Sequence, residues 1–78
     1  MARPLCAIAA EIEEDWKRPH FAALPYLAAL HALNAMSDRY GMDDASSIVR
    51  YFLVNAGSWR GETARRIKDE LKGMLNNG

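Results

Sequence analysis

The chain has 78 residues, 50% of them hydrophobic and 26% charged, and its 10 basic residues balance its 10 acidic ones to a formal net charge of zero. That composition is globular rather than disordered. It excludes a globally basic nucleic-acid binder and a strongly acidic nucleic-acid mimic, since each works through a large field of one sign. A chain this short buries only about 60% of the surface its unfolded form exposes, so one domain with a thin stability margin is expected, and pairing into a homodimer would widen that margin.

The N-terminal run MARPLCAIAA carries one arginine, but carboxylates follow at once, and no apolar stretch approaches the ~20 residues of a membrane span. Neither a signal peptide nor a transmembrane helix is expected. The single cysteine, Cys6, has no internal partner; a buried thiol in a reducing cytoplasm is the expected reading. Pro4 suits the first turn of a helix, and apolar residues recur at Leu5, Ile8, Ala9, Ile12 and Trp16. Glu11, Glu13, Glu14 and Asp15 cover the outer face near the C-terminal end, against the helix dipole, with Lys17 and Arg18 as partial offset. Pro19 cannot continue this helix, so the chain should turn between Arg18 and Leu24.

Pro25 can open a second helix, and YLAALHALNAMSDRY is rich enough in alanine and leucine to place it at the centre of a bundle. Its polar stripe is His31, Asn34 and Asp38, which leaves Tyr26, Leu30, Leu33 and Tyr40 inside, and Gly41 would end it in a left-handed cap. Asp43 or Asp44 can cap a third helix, whose apolar positions Ala45, Ile48, Val49, Phe52, Leu53 and Ala56 keep the helical period while Tyr51 and Val54 fall outside it. Gly57 closes that helix and Ser58 can cap a fourth, with Ala64, Ile67, Leu71 and Met74 or Leu75 inside and Glu62, Arg66 and Glu70 as a surface charge ladder. The expected fold is therefore all-α: a single compact bundle of about four short helices, near residues 4–17, 25–40, 44–56 and 59–75, with 76–78 frayed.

No catalytic, cofactor or metal motif emerges, and an enzyme is not expected. His20 and His31 lack neighbours at ligand spacing, and His31 with Asp38 is too small a set for a zinc or catalytic site. The carboxylates from Glu11 to Asp15 read as a solvated face rather than an acid–base pair, since so short a domain can hardly build a cleft around them.

The sharpest functional signal lies between Asp43 and Leu71. Residues 57–78 carry a local charge of plus two, against minus one for residues 1–42. Arg65, Lys68 and Lys72 follow one helical line, with Trp59 and Arg60 at its start. Trp, Tyr and Arg dominate binding hot spots, so a partner surface is expected to centre on Tyr51, Trp59, Arg60, Arg65, Lys68 and Lys72, with Val54 beside them. A competing reading folds Trp59 inward against Trp16 and Phe52 while Arg60 pairs with an acid of the first helix. The two helices around Gly57 also invite a DNA-binding helix-turn-helix, but Asp69 and Glu70 interrupt the basic face and the chain is neutral.

The motifs Asp15-Trp16-Lys17, Pro25-Tyr26-Leu27, Tyr40-Gly41, Tyr51-Phe52-Leu53 with Asn55-Ala56, and Trp59 to Lys68 (WRGETARRIK) resemble small open reading frames of bacterial phages and prophages, over about residues 8–75. The resemblance implies context rather than chemistry. A short, neutral protein of that origin is expected to bind and block a larger host machine, as inhibitors of CRISPR effectors do. The alternatives are a small nucleic-acid-binding regulator using the last helix and an oligomeric assembly component.

Overall fold

The apolar spacing of the chain closes into four helices, each contributing one stripe to a common core. The computed structural model describes residues 3–77, and in it α1 spans Leu5–Asp15, α2 Leu24–His31, α3 Ala45–Val54 and α4 Glu62–Asn77. A 3-10 turn at Phe21–Ala23 precedes α2, and a two-stranded antiparallel hairpin, β1 Arg39–Tyr40 and β2 Asp43–Asp44, precedes α3. Helix α1 packs on α2 and α4, and α3 packs on the same two, so the helices form a ring. The radius of gyration is 11.2 Å, close to the ~11.5 Å expected for a folded chain of this length. Among the described residues, no helix is long and apolar enough to cross a membrane.

The inner stripes of α1, α3 and α4 follow the expected spacing. Leu5, Ile8, Ala9, Ile12 and Trp16 are buried, as are Ala45, Ile48, Val49, Phe52 and Ala56, and then Ala64, Ile67 and Leu71. Leu53, Met74 and Leu75 are partly buried against them. Helix α4 runs to Asn77, two residues past the expected end at 75, and Gly78, the last residue of the tail expected to fray, lies outside the described residues.

The second helix is where sequence and structure part. Helix α2 stops at His31 instead of continuing to residue 40, so the all-α expectation becomes a mainly helical fold with a small hairpin. The physical reason is competition for backbone groups. The carbonyls of Leu33 and Asn34 turn away to accept the N–H groups of Leu5 and Cys6 at 2.9 Å, supplying partners for donors that the first turn of α1 leaves open. The Asp38 carboxylate accepts from the N–H groups of Asn34 and Ala35, at 2.9 and 3.0 Å, and fixes the turn in a non-helical form. Alanine's helix propensity yields to these tertiary bonds. Gly41 is left-handed as expected (φ +63°), but in the tight turn of the hairpin and not at a helix end. Tyr40 is consequently exposed, His31 and Asp38 share no helix face, and α2 sits in the ring rather than at its centre.

Of the two further caps, one follows the sequence reading and one does not. Asp44 caps α3 by accepting from the Ser47 N–H at 2.9 Å. Ser58 caps nothing, because α4 begins four residues later and the Arg65 N–H bonds to the carbonyl of Gly61. The Cys6 thiol is half-buried and donates to Asn34 Oδ1 at 3.5 Å.

Glu62, Arg66 and Glu70 do not form a ladder along α4. Arg3 grips Glu70 at 2.7 and 3.1 Å and Glu11 at 2.7 Å, and Arg66 bonds the other oxygen of Glu11, so four charges stitch α1 to α4. The Arg3 and Arg66 guanidinium groups hold the Glu11 carboxyl below its ordinary value of 4.5. Backbone N–H donors likewise depress Asp38 and Asp44 below 3.8. All three are depressed in the fold, so the unfolded chain takes up protons first as the pH falls. Their stabilisation is therefore complete above about pH 5 and is lost as the pH drops through the depressed folded values. Thermal melts followed by circular dichroism should show a midpoint steady from pH 7 to 5 and falling below pH 4. Glu11→Gln should lower the neutral-pH midpoint and flatten the acid slope, whereas a slope unchanged by that substitution would assign the acid sensitivity elsewhere.

Candidate functional site

Trp59 organises the surface that follows it, although its indole is in the core. The ring is 2% exposed. It stacks on Trp16 at 5.7 Å between centroids and meets Phe52 edge-on at 6.5 Å. Its Nε1–H donates to Asp15 Oδ2 at 2.8 Å, which ties the connection Asn55–Gly61 to the end of α1. The inward reading of Trp59 therefore holds in its aromatic part. Its other half does not: Arg60 is exposed and, among the described residues, forms no ion pair with α1.

Helix α4 starts immediately beyond, at Glu62, and its period aligns Arg65, Lys68 and Lys72. These three, with Arg60, line a groove of about 330 Å³ whose floor is formed by Trp59, Gly61 and Ala64 and whose lining includes one carboxylate, Asp69. Lys68 is folded onto the floor. Its Nζ donates to the Trp59 carbonyl at 2.6 Å and lies 5.9 Å from the indole centroid, within cation–π range. Burial pulls the Lys68 ammonium below the usual lysine range, and the neighbouring charges of Lys72 and Arg60 push it the same way. Like charges three and four residues apart on a helix repel, so Lys68 meets unfavourable charge along α4 as well as from Arg60.

Of the six residues expected at a partner surface, the fold brings Arg60, Arg65, Lys68 and Lys72 together. Trp59 supports them from beneath. Tyr51 stands apart on α3, where it is exposed and packs against Tyr26 at 5.6 Å, with Val54 also exposed. The Trp59 carbonyl escaped the sequence reading, because spacing patterns report side chains and a backbone acceptor leaves no such mark. Arg66, on the same helix, is withdrawn from the basic face by Glu11.

Two further grooves lie among the described residues. One of about 590 Å³ runs along α1, lined by Ala7, Ala10, Glu14 and Asp15 with Arg3, Glu11 and Thr63. Another, of about 520 Å³, has Arg50 as its one charged group. No group of three or more metal-binding side chains occurs among the described residues. The link between α3 and α4 spans Asn55–Gly61, longer than the three- to four-residue turn of a helix-turn-helix. No family model, curated protein or solved structure matches the chain.

Proposed function

We propose that this protein is a non-enzymatic binding module whose α4 groove captures a negatively charged surface of a larger partner. The observation that carries the reading is the gathering of Arg60, Arg65, Lys68 and Lys72 around one groove with, among the described residues, no salt bridge to any of them. Two of the six other cations, Arg3 and Arg66, are neutralised by carboxylates. A partner that supplies anions relieves repulsion that the free protein keeps, and a basic patch of this kind also speeds the encounter. The phage-like motifs add a direction: a host machine, a CRISPR effector among them, is the partner to try first.

Immobilised heparin tests the groove. A chain of zero net charge has no general reason to stay on a polyanion column, so retention reads the local patch. The wild-type protein should be retained at low salt and released by moderate salt, whereas the double substitution Arg65→Glu and Lys68→Glu should flow through with an unchanged circular dichroism spectrum. Flow-through of the wild type, or equal retention of the variant, would count against the groove.

A further inference from the structure

We infer, resting on the reading of α4 as an anion-binding groove, that its partner surface is an acidic polypeptide helix carrying one stripe of carboxylates with a lysine or arginine beside it. The first support is register. Arg65, Lys68 and Lys72 occupy one stripe over a single heptad, about 10.5 Å of helix rise. An antiparallel helix laid along α4 faces them with residues i, i+4 and i+7, so three glutamates at that spacing meet three cations.

The second support is the acid within the groove. At about 100° per residue, Asp69 lies about 40° from Arg65 on the side away from Lys68, and Glu62 lies about 60° round on that side. Asp69 lines the groove together with the cations. The surface is thus a basic stripe edged by an acidic one, which a mixed-charge polypeptide can complement and a continuous line of phosphates cannot.

The test is a titration of the 15N-labelled protein, followed by amide shifts, with a lactam-stapled peptide bearing Glu at i, i+4 and i+7 and Lys on the flank facing Asp69. A Gln-for-Glu version of the peptide and a 12-base-pair DNA duplex run beside it. Shifts from the glutamate peptide should cluster in residues 59–72. Each exposed pair contributes modestly, so replacing all three glutamates should weaken binding about tenfold. Asp69→Lys should weaken the lysine-bearing peptide and strengthen the duplex. Tighter binding of the duplex than of the peptide, abolished by Arg65→Glu with Lys68→Glu, overturns the polypeptide assignment while leaving the anion groove in place. Absence of shifts with either probe, together with flow-through on heparin, overturns both.

Discussion

Replacing Trp59 with alanine is expected to remove about 3–5 kcal/mol of folding stability. Domains typically hold ~5–15 kcal/mol, and chains this short sit at the lower end. The variant should therefore lack a cooperative unfolding transition at 25 °C. The size of the loss follows from what the indole joins. It meets Trp16 at the end of α1 and Phe52 on α3, and it fixes the connection into α4 through its bond to Asp15. Removing it opens a cavity where three elements converge, and aromatic pairs contribute about 0.5–1.5 kcal/mol each beyond their buried area.

Trp59→Phe separates the packing from the hydrogen bond. The smaller ring keeps contact with Trp16 and Phe52, while the Asp15 carboxylate, already exposed, returns to water. A loss of about 1 kcal/mol is expected for the bond. Urea unfolding followed by far-ultraviolet circular dichroism measures both variants without relying on tryptophan emission. A wild-type midpoint for Trp59→Ala would mean that the indole is not part of the core. The same result governs how binding data are read: Lys68 is anchored on the Trp59 carbonyl, so a binding loss in Trp59→Ala reports an unfolded scaffold and not a lost contact. Only surface substitutions such as Arg65→Glu speak to the contact itself.

The sequence made the inner faces of α1, α3 and α4 readable because each is written in local periodicity. Ile8, Ile12, Ile48, Phe52, Ile67 and Leu71 fall where a 3.6-residue repeat places them, and all are buried. The end of α2 was illegible for the opposite reason. Its helix-forming alanines continue past His31, and what stops them is a pair of N–H groups at Leu5 and Cys6, nearly thirty residues earlier. The basic line Arg65, Lys68 and Lys72 was legible as a helical face, and the same spacing set Arg66 apart from it; that Arg66 pairs with Glu11 across the helix interface, and not with Glu62 and Glu70, was not legible. Tyr51 and Trp59 show the limit from the other side. Both are aromatic and close in sequence to the basic helix, but one points to solvent away from the groove and the other lies beneath it.

The start of α4 rests on one backbone torsion, and substitution there should separate strain from crowding. Gly61 has φ +116°, a region that residues with a side chain rarely adopt, while an added Cβ would meet nothing within 4 Å. Space is available, so the obstacle to Gly61→Val is torsional, at about 1–3 kcal/mol. Gly57 is the control. It also has open space around it and no positive φ, so Gly57→Ala should be neutral or up to about 1 kcal/mol more stable through a restricted unfolded chain. The two glycines flank Trp59 in the same connection, which makes the comparison local. Because the Gly61 carbonyl accepts from the Arg65 N–H at 3.0 Å, the cheapest relief of strain in Gly61→Val is to unwind the first turn of α4. That shifts Arg60 and Arg65 relative to Lys68 and Lys72. The variant should therefore leave heparin at lower salt than Gly57→Ala does, even at a temperature where both are fully folded. Equal elution of the two, with Gly61→Val less stable, would mean that the first turn holds and that the strain is absorbed in the connection instead.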